Sequence, residues 1–188
     1  MRDWPESVCL SFNLSTRDIA APEGLERLIA LIGASGIAPS RIIFEVTETA
    51  LMRDLGDARR ALASLKALGV RIALDDFGTG YSSLSYLQKL PIDRLKIDRS
   101  FVMQLTEDET SLNIVRSILD LCRHLTLHCV VEGVETSEQM LLLRSVGCRS
   151  MQGYLFHRPM PAGDIAAFEE AFGRFPAQLP EPDLAEVA

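Results

Sequence analysis

Val70-Arg71-Ile72-Ala73-Leu74-Asp75-Asp76-Phe77-Gly78-Thr79-Gly80 is the stretch from which the fold is read. A short β-like run, Val70 to Leu74, ends in two adjacent carboxylates, and a glycine-rich loop follows. Upstream, Leu55, Ala58, Leu62, Leu65 and Leu68 recur at helical spacing, and Gly69 sits where such a helix stops. Downstream, the spacing predicts a short helix and then a second β-like run. The stretch is therefore one β-then-α unit.

The same unit recurs in both directions. Toward the N-terminus, Val8 to Phe12 reads as a strand ending at Asn13. Leu25, Leu28, Ile29 and Ile32 then mark a helix closed by Gly33 and Gly36. Ile42 to Phe44 reads as a strand ending at Glu45. Toward the C-terminus, Arg94 to Asp98 contains Lys96, and Leu127 to Val131 ends at Glu132. A sixth, short run lies around Ser150-Met151-Gln152. Thr106 to Glu109 and Thr136 to Gln139 have the Ser/Thr-x-x-Glu/Gln pattern of a capping box and open two further helices. A last helix covers roughly residues 163–172. About six β-then-α units in series predict a parallel sheet covered by helices. A doubly wound open sheet and a (β/α)₈ barrel both satisfy that pattern.

The strand ends favour the barrel. In order they carry Asn13, Glu45, Asp75-Asp76, Lys96, Glu132 and Gln152, spaced by 20 to 36 residues. A barrel of common size repeats every ~31 residues and gathers its strand-end side chains into one mouth. A single carboxylate at a strand end is most often a helix cap. Six polar ends in series point instead to a metal or phosphate site. Carboxylate and amide oxygens suit hard cations such as Mg²⁺ or Mn²⁺. Adjacent Asp75 and Asp76 could split or bridge two ions, the arrangement that clamps a phosphoester during cleavage.

Composition sets the outer limits. The chain has 188 residues, 47% of them apolar and 24% charged, with a net charge of −7. That is a globular composition with the wrong sign for gripping long nucleic acid. No apolar run is long enough for a membrane span. The N-terminal residues lack a signal-peptide pattern, so a cytoplasmic protein is expected. The four cysteines show no Cys-x-x-Cys pair and read as small buried hydrophobes in a reducing compartment.

Six ordered motifs carry a resemblance. They are Ser11-Phe12-Asn13-Leu14-Ser15, Phe44-Glu45-Val46-Thr47-Glu48, Asp75 through Leu84, Leu95-Lys96-Ile97-Asp98, Val131-Glu132-Gly133-Val134-Glu135 and Gln152-Gly153-Tyr154-Leu155-Phe156. In these the chain resembles the EAL domain family of bacterial cyclic di-GMP phosphodiesterases, from about Val8 to Phe172. The resemblance implies a modified (β/α)₈ barrel that hydrolyses cyclic di-GMP to linear pGpG with two Mg²⁺ or Mn²⁺ ions, Ca²⁺ being inhibitory. It implies Asn13, Glu45 and Asp75 as ligands of one ion, with Asp75, Asp76 and Glu132 around the second. Glu132 would be the general base, Lys96 an electrostatic anchor for water or phosphate, and Gln152 a hydrogen-bonding group at the reaction centre. Glu48 and Glu135 would support the site. The loop after Asp76, with Gly78 and Gly80 as hinges, would couple a homodimer to metal and substrate binding.

One part of the family pattern is absent from the sequence. No Glu-x-Leu-x-Arg signature precedes Asn13, and in the family its Glu binds metal. The expectation is therefore an incomplete (β/α)₈ TIM-type barrel, α/β in class, with the first two units missing. It spans residues 1–175, and a proline-containing tail covers 176–188. A fragment or upstream start, a truncated paralogue, and completion by a partner chain each account for this. Electrostatic groups of this kind contribute about 3–4 kcal/mol each to transition-state stabilisation, so weak activity is expected of this chain. A catalytically degenerate module that binds cyclic di-GMP or another protein is the alternative.

Overall fold

The computed structural model describes residues 8–15, 21–52, 54–78, 87–106 and 108–172, together with Trp4 and Asp18. Gly80, most of the loop after Asp76 and the tail at 176–188 lie outside the described residues.

Five strands form one parallel sheet: β1 (Leu10–Asn13), β2 (Ile42–Thr47), β3 (Arg71–Phe77), β4 (Arg94–Ile97) and β5 (His128–Val131). Their order in the sheet is their order in the chain. Seven described helices connect or follow them: α1 (Pro22–Ser35), α2 (Glu48–Met52), α3 (Leu55–Ala67), α4 (Arg99–Met103), α5 (Glu109–His124), α6 (Ser137–Ser145) and α7 (Ile165–Phe172). A parallel pair needs a crossover, and the intervening helices supply it. The protein is thus α/β with a partial barrel: the alternation predicts the parallel sheet, and the polar strand ends favour the barrel.

Alternation along each strand divides the sheet into two faces. On β3, Ile72 and Leu74 are fully buried with Leu62 and Leu65 of α3 in one apolar cluster. On β4, Leu95 and Ile97 are equally buried, and Val102 of α4 and Val115 of α5 belong to the same cluster. The other face carries Glu45, Asp75 and Lys96. One face thus makes the core and leaves the other free for polar groups.

Three details depart from the sequence reading. Gly33 lies inside α1, which runs to Ser35. Gly36 ends it, in the left-handed conformation (φ 69°) that glycine adopts without a steric penalty. The helix expected to start at Thr106 is capped by Asp108, whose side chain accepts from the Thr110 N–H at 2.8 Å. Asp108 outcompetes Thr106 because its carboxylate reaches the first exposed N–H groups directly. The box at Thr136 forms in full with Gln139. The sixth strand is reduced to one bridge, Val131 to Met151. With no further strand described beyond it, Met151 has a ladder partner on one side only. Among the described residues the sheet therefore has two open sides, at β1 and at Met151.

Candidate active site

Each crossover returns the chain to the same side of the sheet, so the strand ends share one rim. Lys96 of β4 is at its centre and only 6% exposed. Its Nζ lies 2.6 Å from Glu45 Oε2 of β2, 3.0 Å from Asp75 Oδ1 of β3 and 2.8 Å from Glu132 Oε1, just past β5. Burial alone would favour the neutral amine. The hydrogen bonds to Glu132 and Glu45 outweigh it and hold Lys96 well above its ordinary value. The lysine is fixed as a cation inside a ring of three carboxylates.

The carboxylates exceed that cation. Glu45, Asp75, Asp76 and Glu132 carry four negative charges when ionised, against one on Lys96. The surplus shows in two of them. Desolvation raises the Glu132 carboxyl above its usual range, against the pull of Lys96. Desolvation, with the charges of Asp75 and Asp98, raises Asp76.

The way β3 presents two consecutive carboxylates is a local irregularity. Leu74 pairs with Leu95 and Phe77 with Ile97, so β3 uses three steps where β4 uses two. The additional residue is a bulge. In an unbroken strand, Asp75 and Asp76 would point to opposite faces and one would enter the core. Here the two flanking residues, Leu74 and Phe77, are both buried, while Asp76 takes a left-handed φ of 55° and is exposed. That conformation is uncommon for a non-glycine residue, and Asp tolerates it better than most. Its N–H donates to Asp75 Oδ1 at 3.1 Å. Gly78 follows at φ 97°, where an added Cβ would stand 2.7 Å from the Phe101 ring.

The remaining expected residues are placed less centrally. Asn13 is exposed and in register with Glu45. Gln152 is exposed and held by its backbone, donating to Val131 O and accepting from Val134 N. Glu48 is buried in the first turn of α2. Glu135 is exposed, and its N–H donates to Gln139 Oε1. The structure thus brings Glu45, Asp75, Lys96 and Glu132 into contact, with Asp76 and Asn13 alongside. Gln152 lies on a cleft of about 1140 Å³. That cleft passes Arg144 of α6, Arg149, Met151 and Phe168 of α7, on the open side of the sheet.

Two contributors were not singled out in the sequence. Ser11 Oγ donates to Glu45 Oε1, orienting that carboxylate. Asp98 caps α4, accepting from the Ser100 N–H at 2.9 Å, and adds negative charge beside Asp76. The signal for Ser11 was its position two residues before Asn13, on the same strand face.

The donor set fits a hard cation, since every group is a carboxylate or amide oxygen and the site holds surplus negative charge. As the side chains stand, the Lys96 ammonium takes the point on which the carboxylates converge. Among the described residues no group of three or more His, Cys, Asp or Glu is arranged to hold a metal ion.

Comparison with known proteins decides the family. The EAL domain matches residues 1–159. The chain belongs to the EAL domain family. It is 44% identical over 165 residues to the bifunctional diguanylate cyclase/cyclic di-GMP phosphodiesterase MucR of Pseudomonas aeruginosa, covering 88% of this chain and 24% of that protein. Among solved structures it superposes on the PaMucR phosphodiesterase in complex with c-di-GMP, with a TM-score of 0.77 and 45% identity, covering 84% of this chain and 64% of that one. It also superposes on a manganese/cyclic-di-GMP complex of Klebsiella pneumoniae BlrP1, with a TM-score of 0.75 and 37% identity, covering 80% of this chain and 39% of that one. The chain spans about a quarter of the length of such curated relatives. Both structures share the barrel-type α/β fold, which agrees with the partial barrel seen here.

Proposed function

We propose that this chain is the catalytic portion of a cytoplasmic, metal-dependent phosphodiesterase that opens cyclic di-GMP to pGpG. The observation that carries the reading is the ring of Glu45, Asp75 and Glu132 closed on a buried Lys96, with Asp76 beside it. Mg²⁺ or Mn²⁺ held by Asn13, Glu45 and Asp75, and by Asp75, Asp76 and Glu132, would supply positive charge for the phosphodiester and make a bound water more acidic.

The chain's own residues do the rest. Glu132 accepts the proton of the attacking water. Its raised proton affinity brings it nearer the range useful to a general base. The water oxygen bonds to phosphorus as the bond to the ribose oxygen breaks, and that oxygen leaves as a hydroxyl. Lys96, held cationic, stabilises charge on the phosphate oxygens. Ser11 keeps Glu45 turned toward the site, and Gln152 contributes a neutral hydrogen bond at the rim. The EAL-type homodimer through the segment after Asp76 belongs to the same reading.

The test is hydrolysis of cyclic di-GMP by the 188-residue chain with Mg²⁺ or Mn²⁺, following pGpG by chromatography. Glu132→Gln is expected to lower the rate by at least ~100-fold. Equal rates in the variant would overturn the assignment of Glu132. Tight cyclic di-GMP binding without pGpG would favour the binding-module reading.

A further inference from the structure

The sheet face that carries Glu45, Asp75 and Lys96 turns cationic toward the strand starts. Side chains alternate between faces along a strand, so Arg94 shares the face of Lys96, and Arg71 that of Asp75. His128 is in register with Arg94, as Val130 is with Lys96, and joins the same row. Arg94 pairs with Ala73, which puts Arg71 one strand across and two residues back, about 8 Å away between Cα atoms. Beyond β5, the Ser150 hydroxyl and His128 Nε2 share a hydrogen bond at 2.9 Å. Arg71 and Arg94 are half-buried and His128 is exposed, so the row is open to solvent. It also lacks counter-ions. Among the described residues, neither the Arg71 nor the Arg94 guanidinium has an ion pair or a hydrogen-bond partner. Asp93, next to Arg94 in sequence, is taken by the Lys66 ammonium and by the Ile72 N–H at 2.8 Å. On the far side, His128 and Arg149 line a cavity of about 340 Å³ with no described carboxylate on its wall, and Arg123 there is already paired with Asp120. Burial, with the charges of Arg94 and Arg71, holds the His128 imidazole below its ordinary value, as uncompensated cations on one face should.

We propose that Arg71, Arg94, His128 and Ser150 form a binding site for a small tetrahedral dianion, a free phosphate or the phosphate end of a monoester, at the opposite end of the strands from the carboxylates. Two guanidinium forks match the oxygens of such an anion, and the serine hydroxyl and a protonated imidazole add further donors. A long polyanion fits poorly, because it needs a stripe of exposed cations on a basic protein, and this chain carries a net charge of −7. The bound dianion favours the protonated form of His128, so anion and proton bind together. It also bridges β3, β4 and β5, the strands that lead to Asp75, Lys96 and Glu132.

Sulfate is the probe, because its charge does not change across the range in which histidine titrates. It is titrated into the 188-residue chain at constant ionic strength, and the Cε1–H resonances of the three histidines are followed by NMR. The His128 resonance should move along a saturating curve while His124 and His157 stay still. Half-saturation should need about fivefold more sulfate at pH 8 than at pH 5.5. Arg94→Gln should weaken binding about tenfold. Arg116→Gln, on the exposed face of α5 where Arg116 bonds Asn113, should leave it unchanged. Inorganic phosphate and methyl phosphate, compared at pH 8, separate the two sources: similar affinities support a monoester end, and binding of inorganic phosphate alone supports the free ion. The resonances of the unmutated chain decide the matter if a variant fails to fold. A His128 shift that is linear in sulfate up to about 50 mM would overturn the proposal. So would equal movement of all three histidines, or equal losses in the Arg94 and Arg116 variants.

Discussion

Lys96→Met isolates the central charge of the site. Methionine keeps most of the buried stem and removes the ammonium. Three carboxylates at 2.6, 2.8 and 3.0 Å then lose their shared counter-ion. Removing one member of a buried ion cluster typically destabilises by ~3–5 kcal/mol. The carboxylates are 14–20% exposed and can take up protons, which places the expectation near the lower end, about 3 kcal/mol. With a urea dependence of about 2 kcal/mol per molar, the unfolding midpoint falls by about 1.5 M. The pH dependence has a defined sign. In the unmutated chain Lys96 is held above its ordinary 10.5, so its contribution is complete below pH 10.5 and is lost as pH rises through the folded value. In the variant, the unneutralised carboxylates bind protons more tightly when folded than when unfolded. The deficit should therefore shrink as pH is lowered from 7 toward 5. Mn²⁺ should also recover more stability in the variant than in the parent, because the site has gained one net negative charge. Urea titrations followed by circular dichroism at pH 7 and pH 5 read all of this. A variant within about 0.5 kcal/mol of the parent at pH 7, or a deficit indifferent to pH, would refute the picture of Lys96 as the site's counter-ion.

Three further perturbations have separable readouts. Thr136→Ala removes one half of the capping box of α6 and should lower stability by about 1 kcal/mol, seen as a midpoint shift in urea. Gly153→Ala would place a Cβ 2.1 Å from Val134 O and 2.4 Å from Val134 N. Backbone atoms cannot yield as a side chain does, so a loss of about 3 kcal/mol and a Tm fall of about 6–12 °C are expected in thermal melts. Burial works against ionisation of Asp98, but hydrogen bonds from Ser100 and Arg99 prevail and keep it below 3.8. Its stabilisation is then complete above pH 3.8 and lost as pH falls through the folded value, so Asp98→Ala should flatten the acid limb of a pH–stability curve.

The strand ends were readable because parallel α/β proteins place polar side chains at one edge of otherwise apolar runs. Glu45, Asp75 and Glu132 were found that way, and the family motifs named their partners. The sequence does not show that Lys96 is the point on which they converge, since that depends on the relative reach of four side chains from four different strands. The bulge in β3 is equally hidden. Asp75-Asp76 reads as two neighbours, and only the pairing of Leu74 with Leu95 and Phe77 with Ile97 shows how both avoid the core. Local competition accounts for the misplaced helix start, because Thr106 and Asp108 both offer an oxygen and geometry selects the aspartate. Ser150 to Gln152 has strand-like residues, yet strand length is set by the available neighbours, and among the described residues Met151 has one on one side only.

The strictly sequential order of β1 to β5 also shapes how such a chain comes to be folded. Each strand pairs with the one made just before it, so no pairing within this sheet waits for distant sequence. Each pairing still closes a crossover of one helical unit, so its entropic cost is that of a medium-length loop and not of a whole-chain closure. During synthesis the sheet can therefore grow strand by strand as the chain leaves the ribosome. In a closed barrel, the joining of first strand to last is the pairing with the longest sequence separation. Every strand pairing among the described residues is instead between neighbours in chain order.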